Sequence, residues 1–271
     1  MITYMALYLK PSVSTSIYNS KGEVVGEIEL PNVFRLPVRT DLIRRVFLSE
    51  FTMRLQPKGR DPMAGKRTTA ESLGIGYGLA RVPRIKGSTR AAFIGSARGG
   101  MATFPPRVEK VLWERVNKKE KLLATASALS ATAEIELVRA RGHRFSASKV
   151  PIVIESLVLN SISKTRDAVD LLKKLGVYED VERAAERTRW RAGRGKTRGR
   201  RYKEPRSVLF IVDDHRAPFS RAVAGLPGVD VATPNFVNVL LLAPGGHPGR
   251  LTVITDSSLA QLKKRFEVLG L

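Results

Sequence analysis

Apolar residues recur along most of the chain in short, dense runs, and two long stretches lack any such pattern. Ser14–Tyr18 and Glu23–Leu30 read as strands joined through the turn-forming Asn19-Ser20-Lys21-Gly22. Thr40 or Asp41 can cap a helix in which Leu42, Ile43, Val46, Phe47 and Phe51 fall at helical spacing. Asn117 with Glu120 resembles a capping box, and Leu122, Leu123, Ala126, Leu129 and Ala133 continue one apolar face toward a stop at Gly142. Further runs at Val150–Ile154, Val208–Val212, Val239–Leu242 and Leu251–Thr255 read as buried strands. Helices are expected over Lys164–Leu175, ending at Gly176, over Asp180–Glu186, and after Asp256 or Ser257.

Continuous β-branched runs separated by helices are what a sheet covered on both faces requires. The predicted fold is therefore α/β, with a largely parallel central sheet flanked by helices, as a single globular domain over residues 1–271. The two unpatterned stretches are decorations of it: a long extended basic internal loop at 52–107 and a second basic insertion at 187–206.

Charge sharpens this division. Lys and Arg number 47 against 25 acidic residues, a formal +22. Residues 52–107 hold eleven basic side chains (Arg54, Lys58, Arg60, Lys66, Arg67, Arg81, Arg84, Lys86, Arg90, Arg98, Arg107) against Asp61 and Glu71. Residues 187–206 hold ten (Arg187, Arg189, Arg191, Arg194, Lys196, Arg198, Arg200, Arg201, Lys203, Arg206) against Glu204 alone. The two stretches thus carry +18, leaving +4 for the remaining chain, the balance of an ordinary folded domain. Nine glycines and five prolines in the first stretch break any helix or central strand, so it cannot fold by burying its own surface. A polyanion that compensates the charge is the implied partner, and Tyr77, Phe93, Phe104, Trp190 and Tyr202 lie interleaved where they can stack on unpaired bases. RNA is favoured over DNA because no helix-turn-helix or basic zipper accompanies the charge.

Other chemistry is thin. The absence of cysteine removes disulfides, thiolate metal sites and thiol nucleophiles. No stretch approaches the roughly 20 apolar residues of a membrane span, and Met1–Leu9 is not followed by a cleavage pattern, so neither membrane insertion nor secretion is expected. Asp213 and Asp214 sit at the end of a predicted strand beside His215, where a carboxylate pair can bind metal for RNA processing, or simply end the strand. His143, His215 and His247 show no ligand spacing and read as surface or loop residues, so no metal and no cofactor is expected. Gly74-x-Gly76-x-Gly78 is not the dinucleotide fingerprint; it reads as flexible backbone. Gly245-Gly246-His247-Pro248-Gly249 could form an anion nest but reads better as a plain inter-element turn.

Several longer motifs, in order, carry a family resemblance: Leu30–Phe34 (LPNVF), Pro37–Ile43 (PVRTDLI), Gly76–Pro83 (GYGLARVP), Ala192–Tyr202 (AGRGKTRGRRY), Ala243–Gly246 (APGG) and Gly249–Thr252 (GRLT). Over essentially its whole length the chain resembles the universal L-four family of large-subunit ribosomal proteins, in its archaeal and eukaryotic form. The resemblance implies a non-enzymatic, cytoplasmic constituent of the large subunit that binds its RNA early, near the 5′ region, and supports assembly. It implies an internal loop that helps line the nascent-peptide exit tunnel, with Lys66, Arg67, Gly74, Gly76, Gly78, Arg81 and Arg84 nearest the tip. The implied partners are ribosomal RNA, neighbouring large-subunit proteins and, at the tip, the nascent peptide, with no membrane. Where relatives often carry Arg-Ala-His-Pro-Pro, this chain has Met101–Pro106 (MATFPP), so contacts of that Arg or His do not carry over, and Phe104 is a candidate stacking replacement. An RNA-processing enzyme using Asp213 and Asp214, and a regulatory binder of messenger RNA, remain the alternatives.

Overall fold

The computed structural model describes residues 9–269; the reading of the chain's start falls largely on residues 1–8, outside that range. The chain divides into two compact units, one made of residues 1–51 and 114–271, the other of residues 52–113.

The larger unit is built on a six-stranded sheet in the order β2-β1-β5-β10-β8-β9. Its strands are β1 (Ser14–Tyr18), β2 (Val24–Glu29), β5 (Ile152–Ile154), β8 (Leu209–Ile211), β9 (Asp230–Ala232) and β10 (Thr252–Thr255). Only the β1–β2 hairpin is antiparallel, with Thr15 opposite Ile28; β1–β5, β5–β10, β10–β8 and β8–β9 are all parallel. Alternate residues of the central strands feed two separate cores. Ile152, Ile154, Phe210 and Val253 face one, whereas Val153, Leu209, Ile211 and Ile254 face the other. Both faces of the pleat are dry, so these strands read as unbroken apolar runs.

Helices cover each face. The first core takes side chains from α4 (Val158–Ser161), α5 (Thr165–Lys174), α6 (Tyr178–Glu186) and α7 (Pro218–Ala224); the second takes them from α1 (Thr40–Thr52), α2 (Lys118–Thr132), α8 (Val239–Leu242) and α9 (Asp256–Phe266). Helix α2 is buried from Ala124 to Thr132, and its small side chains bring it close to the turn at Asn32–Arg35. There the Ser130 hydroxyl donates to the Phe34 carbonyl at 2.9 Å and Ser127 Oγ donates to Pro37 O at 3.2 Å, so hydroxyls inside the contact find acceptors.

Several sequence expectations need correction. Val239–Leu242 is a helical turn, not a strand: the Asn238 side chain accepts from the Leu241 amide at 3.0 Å and starts it, and the three leucines that follow Val239 suit it. The strand in that region is instead β9, three residues long and too brief to show periodicity. Asn117 makes no side-chain cap, and Glu120, the other half of the expected capping box, reaches Arg45 on α1 at 3.4 Å instead of turning back. The helix expected to run to Gly142 breaks at Glu134, which leaves the helical conformation and pairs with Lys10; α3 (Ile135–Ala140) follows as a separate element.

His143 is not a surface residue. It is buried, with Nδ1 2.9 Å from Asp180 Oδ2, and Asp180 also accepts from the Arg144 amide at 3.0 Å and from Arg183 Nε at 2.8 Å. Burial pushes the Asp180 pKa up, but the hydrogen bonds from His143 and Arg183 outweigh it and hold the carboxyl below its usual range. Burial lowers the His143 pKa despite the bond to Asp180, so the imidazole is neutral near pH 7 and its Nδ1–H donates a hydrogen bond to the Asp180 carboxylate. A folded pKa below the unfolded value of 6.5 means that the unfolded chain takes the proton first. This contribution to stability is therefore whole above about pH 6.5 and shrinks as the pH falls below it. Thermal melts between about pH 7.5 and 5 should show a falling midpoint, and His143→Asn, which keeps a donor at the Nδ1 position, should remove that part of the decline; a variant with an identical slope would contradict the assignment.

Candidate nucleic-acid interface

Residues 52–113 form an arm that is ordered by its own backbone. Its two legs run side by side, the Arg60 amide donating to the Pro106 carbonyl at 3.2 Å, and the returning leg folds on itself, the Met101 amide donating to Phe93 O at 3.2 Å. Gly65 is required at a φ of +78°, where a Cβ would stand 2.4 Å from the Gly100 carbonyl oxygen. Beyond the legs, β3 (Ala70–Glu71) and β4 (Arg84–Ile85) pair as a short antiparallel hairpin carrying the tip, residues 72–83. The Arg84–Ala91 bridge extends this ladder.

Hydrogen bonding this local cannot bury side chains, so the arm presents its chemistry outward. Arg54, Lys58, Arg60, Lys66, Arg67, Arg81, Lys86, Arg90, Arg98 and Arg107 are all exposed. Among the described residues, only Arg67, with Asp61, and Lys86, 3.7 Å from Glu71, face a carboxylate. Arg84 departs from the sequence reading. It is half-buried and donates to the Thr89 carbonyl, so it clamps the hairpin end. Phe93 departs too, since it is half-buried at a φ of +62° within the fold of the arm. Phe104 is 95% exposed and Tyr77 66%, leaving their rings free to stack. Sequence reasoning passed over Ile75, 79% exposed, and its exposed neighbours Leu73 and Leu79, which with Tyr77 alternate with Gly74, Gly76 and Gly78 along the tip. That alternation is a legible signal: each large side chain is separated by a residue whose positive φ turns the backbone.

The second insertion belongs to the larger unit and is a hairpin. β6 (Arg189–Trp190) pairs with β7 (Tyr202–Lys203), Trp190 opposite Tyr202, and a helical turn at Arg194–Arg198 closes the end. Gly199, at a φ of +75°, lets the chain return, and the Arg200 amide donates to Gly195 O at 3.0 Å. Arg191 braces the hairpin through Nε to Arg200 O at 3.0 Å. Trp190 and Tyr202 meet edge to face at 6.1 Å between centroids, and the Arg201 guanidinium lies 4.8 Å over the Trp190 ring. Arg189, Arg191, Arg194, Lys196, Arg198, Arg200, Arg201 and Lys203 are exposed, and none has a carboxylate within ion-pair distance among the described residues.

The other candidates resolve into structure. Asp213 accepts from Ser257, from Ser258 Oγ at 2.8 Å and from Gln261 Nε2 at 3.0 Å, so its carboxylate is spent holding the start of α9. Asp214 accepts from the Arg216 amide at 2.8 Å and shapes the turn into α7. The two carboxylates thus serve different elements. His215 and His247 are exposed. The glycine-rich loop after α8 turns its Pro244 and His247 carbonyls to Arg141, the former at 2.7 Å, as a turn and not an anion nest.

An α/β unit that displays a cationic hairpin, in a chain that also carries a glycine-rich cationic arm with bare aromatic rings, presents charge and ring chemistry suited to a polyanion. Comparison with known proteins gives the family. Residues 28–265 match the model of the ribosomal protein L4/L1 family. The chain is 62% identical to the large ribosomal subunit protein uL4 of Aeropyrum pernix, covering 98% of both chains. It is 54% identical to the proteins of that name from Sulfurisphaera tokodaii (97% of this chain, 98% of the other) and Saccharolobus solfataricus (97% of each). The chain belongs to the ribosomal protein L4/L1 family. It is accordingly a structural ribosomal constituent, not an enzyme.

Proposed function

We propose that this chain is a primary binder of large-subunit ribosomal RNA, near its 5′ region, that supports assembly of the subunit in the cytoplasm. The arm lines the nascent-peptide exit tunnel, with Gly74, Gly76, Gly78 and Arg81 at the tip beside the emerging peptide and neighbouring subunit proteins, Lys66 and Arg67 on the leg that leads to it and Arg84 closing the hairpin that carries it. The observation that carries this reading is the concentration of +18 formal charges in two segments whose cations are mostly exposed and unpaired. Exposed cations without protein counter-ions release bound salt when phosphates replace it, and that release drives association. Arg54, Lys58, Arg60, Arg90, Arg98 and Arg107 follow the backbone along the arm; Arg191 to Lys203 do so on the hairpin. Tyr77, Phe104, Trp190 and Tyr202 stack on unpaired bases, a contact that tolerates any sequence because every base offers a π face.

The test is sedimentation of a tagged full chain through a sucrose gradient of ribosomal particles, beside a copy lacking residues 69–91. The full chain is expected with large subunits after a high-salt wash, and the shortened copy is expected to dock through the larger unit while leaving the tunnel unlined. A full chain that stays in the light fractions, or washes off at moderate salt, would overturn the reading.

A further inference from the structure

The sheet of the larger unit ends on an open, acidic edge. β2 is its outermost strand, and among the described residues it pairs with β1 alone. The Leu30 amide donates to the Val13 carbonyl at 3.0 Å, so in the antiparallel ladder Leu30, Ile28 and Gly26 spend their backbone groups on β1. The alternate residues Glu27 and Glu29 turn their amides and carbonyls outward, where they find no partner among the described residues. The register shift sits near the turn, between Ile17 and Tyr18, and leaves Gly26–Glu29 regular. A Cβ at Gly26 would meet nothing within 4 Å, and no proline interrupts the strand.

Exposed edges are commonly blunted by lysines, prolines or bulges. Here the charge has the other sign. In a chain of formal charge +22, residues 23–29 hold Glu23, Glu27 and Glu29 and no cation. Glu27 pairs with Lys149 at 2.9 Å yet keeps 61% of its side chain exposed, and Glu23 accepts from Asn19. Glu29 has no ion pair among the described residues, although Lys263 lines the small cavity beside it. Val24 and Val25, 58% and 63% exposed, add apolar surface toward the turn.

These charges select the occupant. Phosphates are repelled by them, which sets the edge apart from the RNA-binding arm and hairpin. A second copy pairing edge to edge would bring glutamates against glutamates, and like charges across a ladder are destabilising. A strand with Lys or Arg at every second position instead sets its cations opposite Glu27 and Glu29, which share one face, while its backbone meets the outward amides and carbonyls. We propose that β2 accepts an extended basic segment of another protein as a seventh strand of the sheet. This is a protein interface read through backbone hydrogen bonds, and it does not depend on the RNA reading.

The test is amide spectroscopy of the ¹⁵N-labelled full chain, titrated with the blocked hexapeptide TKVKVT, its charge-reversed form TEVEVT, and two versions of TKVKVT with backbone N-methyl groups on both lysines or on both valines. TKVKVT should shift the Glu27 and Glu29 amides saturably, and TEVEVT should bind at least about tenfold more weakly. One methylated version should lose binding and the other keep it, because an added strand bonds β2 through a single edge. Glu27→Lys with Glu29→Lys, both on the exposed edge, should invert the preference toward TEVEVT. Equal binding by both methylated versions would reduce the contact to charge alone. Slow solvent exchange of the Glu27 and Glu29 amides in the free chain would mean that the edge is already covered. Shifts of the same amides with oligouridylate would assign the edge to RNA, and a dimer in sedimentation equilibrium that the double variant breaks would assign it to a second copy. Each of these results, or amides that TKVKVT leaves unmoved, overturns the proposal.

Discussion

Exchanging Arg189, Arg191, Arg194, Lys196, Arg198, Arg200, Arg201 and Lys203 together for glutamine is expected to lower the affinity of the full chain for large-subunit RNA by several orders of magnitude near physiological salt. The reason is that these side chains have no carboxylate partner among the described residues, so their charge is available to phosphates at no cost in broken ion pairs. If each meets one phosphate, the slope of log affinity against log salt should flatten by about 0.7–0.9 per contact, or about 6–7 for all eight. Filter-binding titrations between about 0.05 and 0.5 M salt read both quantities, and an unchanged slope would sink the assignment of the hairpin. Trp190→Ala with Tyr202→Ala separates the other contribution. Stacking is worth about 1–3 kcal/mol per base, so affinity should fall with the slope nearly preserved.

The second large effect concerns Arg250, a fully buried side chain. Its guanidinium lies 2.7 Å from Asp230 and donates from Nε to the Ser207 carbonyl at 2.9 Å, from Nη1 to Leu241 O at 2.8 Å and from Nη2 to Gly228 O at 3.2 Å. One side chain thus ties the loop after α8 to the strands β8 and β9 that end the sheet. Arg250→Met fills the space but leaves the carbonyls without donors and half of Asp230's charge uncompensated. Removing one partner of a buried pair costs about 3–5 kcal/mol. For a unit of this size that corresponds to a melting midpoint lower by roughly 10 °C, read by calorimetry. Arg250→Lys should recover only part of the loss, since an ammonium cannot span the separated acceptors. A midpoint within about 2 °C of the wild type would show the knot to be dispensable.

How much of this was legible depended on how far each signal reaches along the chain. The strands β5, β8 and β10 announced themselves because burial on both faces leaves nothing but apolar residues, and the break in charge pattern marked both insertions. β9 and α7 escaped because three residues of strand and seven of helix each hold fewer than two full periods. Val239–Leu242 misled because four apolar residues fit a strand or a helical turn equally, and the decision lay in a side-chain cap at Asn238. His143 and Arg250 were misread or missed for a deeper reason. Their partners Asp180 and Asp230 are distant in sequence, and a polar residue reads as exposed until the fold supplies its counter-charge. The candidate interface was legible as composition; which cations are free was not, since Arg84 is set apart by half-burial in β4 and a bond to the Thr89 carbonyl, which only the fold supplies.

The base of the arm is closed within the larger unit, where the Ser49 hydroxyl donates to the Glu114 carbonyl. The chain thus leaves and re-enters at nearly one point, and the sheet does not register how many residues lie between. Doubling an insertion closed in this way adds only about 0.6 kcal/mol of ring-closure entropy. Arm length is therefore free to drift with the depth of whatever the arm must reach, while the sheet that carries it keeps its own sequence constraints.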